Sequence, residues 1–504
     1  MKSSRVVSLR SLLAASISGK VVYALSSLIS LPLLTKLLGA ESIGLVGFFT
    51  TLLMSMMVLE GGLTSNLIHQ LASYRSRSLS AYRDYTIAQR CLVFTYFVIF
   101  LMIGFASAII IISLSSYIVG QWLEIQSIPL ANVVTSVKLM GVFIALNFPV
   151  MVLQGVLIGN ENQKLLNKVF IPYALFRTVG AWILLRYLFE SPSVLQYFIL
   201  QLMAQVIYVL SLLCAVYKEH LLKINLAFFR VYYLKKGLAF SRGVLLVSVS
   251  SMLVVQIDKI YLSGNVSLGA YASYTLASTL AGLPYIFSSA FSSVLFPRFS
   301  NFLTTHDNNR LAKIYASSLT IIFLLMINFI AAIVFYSRLP VSLIFTEDIA
   351  NGVNDILPIL VLATSIQCIL VVPFALQLAG KWTSLSLNIN LLSIPLIVLL
   401  LPCAVHEFGV SGGAYIWLMY NVFSLMCTFY FVLKKHECLK SSALSLCQDF
   451  IILSVSVMFF YYLVTYLTER VVNIYLALFL QSVSVLISLG VGVIYFKKRI
   501  KEFN

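Results

Sequence analysis

Six ionisable side chains interrupt the apolar stretches of this 504-residue chain, and they define the chemistry that the sequence can offer. They are Lys20, Glu60, Lys138, Arg177, Asp258 and Lys259. An ionised side chain at the centre of a membrane-spanning helix costs about 2.5–3.5 kcal/mol, so each of the six needs a partner, water or a function. Cations outnumber acids among them, a balance that would attract an anionic ligand to a shared cavity.

Arg177 is the best candidate for contact with an anionic substrate. It lies near the middle of a predicted helix over 167–189, too deep for its side chain to reach either membrane surface easily. Its guanidinium group stays charged and offers a planar fork of donors that suits a phosphate. The structural alternative is an arginine bonded to helix carbonyls. Lys138 lies near the outer end of its helix, where it either extends to the surface or adds to the cavity.

Two further pairs have a functional and a structural interpretation. Lys20 and Glu60 each lie about 12 Å from the inner ends of adjacent predicted helices, at about 1.5 Å per residue. They form either a cavity-lining pair with Glu60 as a protonatable coupling site, or a pair that neutralises two insertion costs. Asp258 and Lys259 lie toward the outer end of the seventh helix. Consecutive residues point about 100° apart and need not pair, so they serve an outer gate or anchor the helix at the interface.

The elements that position these residues are predicted to be membrane-spanning helices. The chain is 60% hydrophobic and only 10% charged, whereas a soluble domain carries about 25% charged residues. About 20 apolar residues cross a bilayer as a helix. The sequence predicts an all-α integral membrane protein with about fourteen spans. The predicted spans are 12–36, 43–68, 90–114, 133–158, 167–189, 194–216, 240–263, 268–295, 312–336, 355–379, 384–404, 410–433, 447–467 and 473–496.

The distribution of charge predicts the orientation of the spans. Most of the 34 Lys and Arg residues collect in one alternating set of loops, including 217–239 and the C-terminal tail, while acids such as Glu41, Glu124 and Glu347 lie in the opposite loops. The positive-inside rule then places both termini in the cytoplasm. This rule also accounts for the net charge of +17 without a nucleic-acid partner. The seven cysteines are scattered without a CxxC pair, which argues against a metal site or a disulfide framework.

A repeated bend indicates an internal duplication. The stretch Leu37–Thr50 recurs 225 residues later at Leu262–Thr275. The identical positions include Leu37/Leu262, Gly39/Gly264, Ser42/Ser267, Gly44/Gly269 and Thr50/Thr275. Both copies form a Gly-rich bend between two long apolar segments, so the match concerns equivalent places in two bundles.

A second bend repeats at nearly the same offset, with Leu157 and Gly159 matching Leu378 and Gly380. Two six-helix halves related by a pseudo-two-fold axis along the membrane normal are therefore expected, with a site near the midplane between them. The predicted regions are an N-terminal bundle (1–216), a basic cytoplasmic linker (217–239), a C-terminal bundle (240–433) and two extra helices with a basic tail (434–504).

Several motifs in this framework resemble one family. Pro32–Gly39 reads PLLTKLLG, Gly44–Phe49 reads GLVGFF, and Gln256–Gly264 reads QIDKIYLSG. These stretches, with fourteen spans and a duplicated six-helix unit, resemble the O-antigen and polysaccharide flippases of the multidrug/oligosaccharidyl-lipid/polysaccharide (MOP) exporter superfamily.

The resemblance implies a flippase that moves an undecaprenyl-pyrophosphate-linked oligosaccharide from the cytoplasmic to the periplasmic leaflet of a bacterial inner membrane by alternating access. Membrane lipids would be partners, as would the polysaccharide polymerase and chain-length machinery. No cofactor is expected, and a proton or sodium gradient is a candidate driving force.

Two alternatives remain open. An ion-coupled multidrug or cation exporter of the same superfamily would favour acidic cavity residues, and here cations outnumber acids. An integral-membrane polysaccharide polymerase or glycosyltransferase would need a large outer catalytic loop. The longest outer stretches, 115–132 and 337–354, are short, and the sequence contains neither a Gly-rich phosphate loop nor an HExxH motif. We therefore expect a transporter rather than an enzyme.

Overall fold

A computed structural model describes residues 9–81, 85–219, 225–468, 471 and 473–503 of the chain. Within these ranges the chain is almost entirely helical, and thirteen helical segments are long and apolar enough to cross a membrane. The prediction of an all-α, multi-pass membrane fold is confirmed. The chain divides into two compact units, Met1–Gln256 with Ser263–Gly269, and Ile257–Leu262 with Ala270–Asn504. The predicted bundle and linker boundaries stay a prediction.

The helices of the first unit, with α9 running on into the second, follow one another in chain order. They are α1 (Leu9–Leu38), α2 (Ala40–Met57), α3 (Leu63–Ala81), α4 (Thr86–Tyr117), α5 (Leu130–Gly159), α6 (Gln163–Leu175), α7 (Ala181–Leu188), α8 (Val194–Lys218) and α9 (Val231–Ser263). α5 packs against both α4 and α8, and α6 packs against α1 and α8. Gly104 permits close contact between α4 and α5. A Cβ atom at this position would lie only 2.4 Å from the carbonyl oxygen of Ala145.

The remaining helices build the second unit. They are α10 (Leu268–Ala281), α11 (Tyr285–Thr305), α12 (Asn308–Tyr336), α13 (Arg338–Ile344), α14 (Glu347–Ile369), α15 (Val371–Ala379), α16 (Ser384–Phe408), α17 (Ser411–Lys435), α18 (Lys440–Thr468) and α19 (Ile474–Phe503). The first two residues of α10 are the exception and belong to the first unit. The packing of α12 against α14 and of α14 against α17 forms much of this unit.

The second predicted span, 43–68, is interrupted in its C-terminal half. α2 ends at Met57, a 3₁₀ turn follows over Val58–Glu60, and α3 begins at Leu63. Gly61 and Gly62 both have positive φ angles, 56° and 78°, which side chains with a Cβ rarely adopt. The sequence prediction of one continuous helix through Glu60 is therefore wrong, because two successive left-handed residues cannot continue an α-helix.

The eighth predicted span, 268–295, is interrupted in the same way. α10 ends at Ala281 and α11 begins at Tyr285, after a turn that contains Gly282 and Pro284. This break explains why thirteen rather than fourteen described segments meet the criteria of length and composition for a membrane span. Each copy of the repeated bend is thus followed by a second helix that breaks, which supports the duplication.

The two C-terminal helices, α18 and α19, pack on α12 through buried polar contacts. The side-chain oxygen of Asn328 on α12 accepts hydrogen bonds from the Tyr461 hydroxyl (3.2 Å) and from the Ser488 hydroxyl (2.6 Å). Tyr336 on α12 also bonds to Ser484 on α19 at 2.8 Å. In a bilayer apolar surface gives little drive for helix association, so such hydrogen bonds help to fix which helices pair.

Replacing Asn328 with Leu is expected to loosen α18 and α19 from α12. Asn328 is only 2% exposed, and its loss leaves the buried Tyr461 hydroxyl and the half-buried Ser488 hydroxyl without their acceptor. Each such group costs about 1–3 kcal/mol when left unsatisfied. We expect the thermal midpoint of the purified protein in detergent to fall by several degrees. The matched variant is Asn301→Leu, because Asn301 is exposed on α11. An equal effect of both substitutions would contradict the assigned role.

Candidate functional site

Arg177 lies in a π-helical turn, Phe176–Gly180, that joins α6 to α7 inside one membrane span. A π turn widens the helix by one residue and occurs frequently at functional sites. Asn167, Phe170 and Tyr173 precede Arg177 on α6 at spacings close to whole turns, so the four side chains share one face of the helix. The turn therefore places a cation at the end of a polar and aromatic stripe.

The guanidinium group of Arg177 is held by neutral partners. Its Nε donates to the side-chain oxygen of Gln201 at 2.7 Å, and one terminal nitrogen donates to the Tyr173 hydroxyl at 3.3 Å. The Gln201 amide in turn donates to the backbone carbonyl of Arg177 at 2.8 Å. Gln201 is 1% exposed and belongs to α8, so this reciprocal pair fixes the π turn against that helix.

Aromatic rings complete the surroundings of the guanidinium. Its central carbon lies 4.8 Å from the ring centroid of Phe143 and 6.0 Å from that of Phe49. Cation–π contacts of this kind stabilise a desolvated cation by about 2 kcal/mol. Among the ion pairs of the described residues, none includes Arg177. A half-buried cation with N–H donors to spare and neutral partners is able to bind an anion.

A hydrogen-bonded network continues from Arg177 across α6, α8 and α5. The Tyr173 hydroxyl donates to Gln205 at 2.6 Å, and the ring of Tyr173 stacks on that of Tyr208 with centroids 4.0 Å apart. The Tyr208 hydroxyl accepts from the amide of Gln154 at 2.8 Å. These contacts connect the guanidinium group to Gln154, near the C-terminal end of α5, through polar side chains of otherwise apolar helices.

Among the described residues, two other embedded charges of the first unit make none of these contacts. Lys138 is exposed on the N-terminal third of α5, and whether it lines a cavity stays a prediction. Glu60 lies half-buried at the α2–α3 break, where its carboxylate accepts a hydrogen bond from the hydroxyl of Thr64. The side chain of Lys20 lies outside the described residues, so the predicted Lys20–Glu60 pair stays a prediction.

Asp258 and Lys259 form a buried cluster in the second unit. The Lys259 amine lies 3.3 Å from the Asp258 carboxylate, which also accepts a hydrogen bond from the Tyr274 hydroxyl. The same amine lies 5.9 Å from the ring centroid of Trp417. The two residues pair although consecutive helix positions point about 100° apart, because the long lysine side chain bends back toward the carboxylate.

Replacing Asp258 with Ala is expected to reduce the folded yield strongly. Asp258 is 2% exposed, and its loss would leave the Lys259 charge and the Tyr274 hydroxyl without the carboxylate. Breaking a buried ion pair by removing one member costs about 3–5 kcal/mol. Adding Lys259→Met should restore part of the yield, and fluorescence-detected size-exclusion chromatography would measure it. Yields that fall additively in the double variant would contradict this coupling.

An exposed pair serves as the control for that double-mutant cycle. The Lys440 amine lies 2.9 Å from the Glu437 carboxylate, and both side chains are mostly exposed. Glu437→Ala and Lys440→Met, singly and together, should leave the yield unchanged, because exposed ion pairs are screened by solvent.

Sequence reasoning found Arg177 but not the side chains that hold it. Tyr173, Gln201, Gln205 and Tyr208 were not singled out. A signal was present, since two glutamines four residues apart on a strongly apolar helix mark one polar face. What the sequence could not show is that this face of α8 meets α6.

The chain is similar to known transporters along most of its length. It is 24% identical over 423 residues to a Shigella flexneri protein named "putative O-antigen transporter", covering 81% of this chain and 96% of that protein. No family model matches.

Several solved structures have the same fold as this chain, although their sequences are only 14–16% identical to it. The lipid II flippase MurJ in an inward closed conformation matches with a TM-score of 0.67 at 14% identity, covering 97% of this chain and 100% of that one. A multidrug resistance MATE family transporter in an inward-facing conformation matches with a TM-score of 0.67 at 16% identity, covering 87% and 97%. The resemblance seen in the sequence is thus confirmed, and the chain is a multi-pass membrane protein that shares the fold of these solved structures.

Proposed function

We propose that this protein is a flippase that carries an undecaprenyl-pyrophosphate-linked oligosaccharide from the cytoplasmic to the periplasmic leaflet of a bacterial inner membrane by alternating access. One observation carries the choice of cargo. Arg177 is a half-buried cation whose partners are a neutral amide, a phenol and aromatic rings. A pyrophosphate supplies the negative charge that this arrangement lacks, and Arg binds phosphate oxygens through its planar fork of donors.

The charge of the cargo explains why a protein is needed. A pyrophosphate cannot cross about 30 Å of hydrocarbon unaided, whereas the lipid tail can remain in the bilayer. A single arginine held by neutral groups attracts the anion without enclosing it in several charges. The cargo can therefore leave again, which a transporter requires.

The proposal extends to topology and partners. Both termini lie in the cytoplasm, and the polysaccharide polymerase and chain-length machinery receive the cargo on the periplasmic side. A topology reporter fused at Arg230 should score as cytoplasmic. A periplasmic signal at that position would overturn the orientation.

Deletion of the gene tests the function directly. We expect surface polysaccharide to disappear while the lipid-linked repeat unit accumulates on the cytoplasmic leaflet. An unchanged glycan profile would exclude the flippase.

The second candidate is an ion-coupled multidrug exporter, which the likeness in fold to a MATE family transporter supports. The buried Asp258 of the second unit is the acid that such an exporter would use for a cation. Increased drug sensitivity of the deletion strain, with normal surface glycan, would favour this function over the flippase.

A further inference from the structure

A small cavity lies between α1, α5 and α6. Its volume is about 250 Å³. Three amide side chains line it, those of Gln154, Gln163 and Asn167, together with the ring of Phe170 and the backbone of Gly19. The remaining lining side chains are aliphatic, so the cavity contains several neutral hydrogen-bonding groups and no ionisable side chain.

One of these amides is left unsatisfied. The side-chain oxygen of Gln163 is buried and makes no hydrogen bond. A buried acceptor without a donor costs about 1–3 kcal/mol, so a ligand that brings a hydroxyl donor would recover this energy. The amides of Gln154 and Asn167 are oriented by hydrogen bonds to Tyr208 (2.8 Å) and to Ser18 (3.1 Å), respectively.

The aromatic wall gives the cavity a second recognition element. Phe170 packs against Tyr23 and Tyr208 with ring centroids 6.3 and 6.2 Å apart. Such packing fixes the ring in place. A rigid apolar ring beside convergent amides is the composition of a site that orients a small ligand by a few polar contacts. A sugar ring has the matching surfaces, because its C–H face is apolar and its hydroxyls both donate and accept hydrogen bonds.

A relay of side-chain contacts connects the cavity lining to Arg177. Tyr208 accepts from Gln154 at the cavity wall and stacks on Tyr173, which accepts from Arg177. Along α6, Phe170 precedes Arg177 by seven residues, a rise of about 10 Å at 1.5 Å per residue. A sugar attached to a pyrophosphate at Arg177 can bridge that separation.

We propose that this amide-lined cavity binds an uncharged sugar ring of the cargo close to its pyrophosphate, an inference that rests on the proposed function. The site makes the flippase sensitive to the sugar near the lipid carrier. More distant sugars contribute less, since the cavity holds about one ring.

Two substitutions change the cavity by opposite means. A Cβ atom on Gly19 would lie 2.8 Å from the Asn167 side-chain oxygen and 3.1 Å from the Phe170 ring, so Gly19→Ala pushes into the lining. Ala also favours a helix over Gly, so the substitution does not weaken α1 by itself. Gln163→Leu instead removes the unsatisfied acceptor at nearly constant size. Gln121→Leu is the matched control, because Gln121 is exposed.

The test compares two lipids on purified protein in nanodiscs. One is the lipid-linked oligosaccharide extracted from the deletion strain, and the other is undecaprenyl pyrophosphate without sugar. Gly19→Ala and Gln163→Leu should each weaken binding of the sugar-bearing lipid about ten-fold, roughly the loss of one good hydrogen bond. Binding of the sugar-free lipid should stay at the wild-type level, and Gln121→Leu should change neither.

The outcomes separate this inference from the proposed function. Wild-type protein that binds neither lipid would contradict the flippase itself. Wild-type protein that binds the sugar-bearing lipid, with both cavity variants binding it equally well, would overturn the sugar site and leave the flippase standing. An equal loss of both lipids in the cavity variants would also overturn it, since the cavity would then serve the anion site or the packing of α1. A thermal midpoint for each variant identifies any that fails to fold, and the other then decides.

Discussion

Arg177→Gln is expected to lower export of the surface glycan at least ten-fold while the protein reaches its normal abundance in the membrane. Glutamine keeps an N–H donor near Gln201 but removes the positive charge that a pyrophosphate would meet. Hydrogen bonds to charged groups contribute about 1.5–3 kcal/mol each, and about 1.4 kcal/mol corresponds to a factor of ten in binding. Arg177→Lys should retain part of the activity, since it keeps the charge but loses the planar fork.

Export is measured as surface polysaccharide in the deletion strain that carries each variant on a plasmid. The matched control is Arg186→Gln, which removes the same charge from an exposed position on α7. It should export normally. Normal export by Arg177→Gln would remove this residue from the mechanism.

A structural role for Arg177 would give a different pattern. Gln201→Leu removes the main partner of the guanidinium but keeps the charge. If Arg177 only fixes the π turn to α8, both Arg177→Gln and Gln201→Leu should lower the thermal midpoint, and export should fall in proportion to abundance. If it contacts the cargo, Arg177→Gln should lower export per folded molecule more than Gln201→Leu does.

The sequence predicted those features of the site that depend on one position at a time. A single arginine in an apolar helix is visible without any knowledge of packing, because its insertion cost is local. Tyr173 and Gln201 could not be assigned to it in this way. They are ordinary residues until α6 packs against α8, which brings positions 24 residues apart into a hydrogen bond of 2.7 Å.

The helix breaks were missed for a related reason. Hydropathy averaged over a window is insensitive to backbone conformation. The stretch around Leu59–Leu63 stays apolar on average and is therefore predicted to continue the helix. The paired glycines at 61 and 62 were the available signal, since glycine is the residue that accepts positive φ without strain. In the same way Gly282 and Pro284 marked the break before α11. Apolar length predicted that the chain crosses the membrane, but only the breaker residues indicated where a span is discontinuous.

The second large effect is expected from a substitution in the repeated bend, because its two copies contact each other inside the first compact unit. A Cβ atom on Gly44 would lie 1.9 Å from the carbonyl oxygen of Leu268, which belongs to the other copy. A Cβ atom on Gly269, the equivalent of Gly44, would meet nothing closer than the Cβ of Ala40 at 4.0 Å. The two glycines occupy equivalent positions in the repeat. Of the two, only Gly44 lies where the backbone of α2 closely approaches other backbone, at Leu268.

Gly44→Ala is therefore expected to lower folded abundance or export severely, and Gly269→Ala to be tolerated. In Gly44→Ala the methyl group cannot be accommodated by rotating a side chain, because it meets a backbone carbonyl. Either α2 or the backbone at Leu268 must then move, and the Leu268 backbone is held by the hydrogen bond from its amide to the Glu124 carbonyl at 3.2 Å. Overpacking costs about 1–3 kcal/mol where side chains can adjust, and more is expected where only backbone can move.

The comparison uses one substitution at two equivalent glycines, so helix propensity is the same in both variants. Alanine stabilises a helix relative to glycine by about 0.5–1 kcal/mol, which should leave Gly269→Ala at or slightly above the wild-type thermal midpoint. Equal behaviour of the two variants would mean that the bend is not held at Gly44. A loss confined to Gly44→Ala would show that duplication preserved the glycine in both copies while only the first retained the contact that needs it.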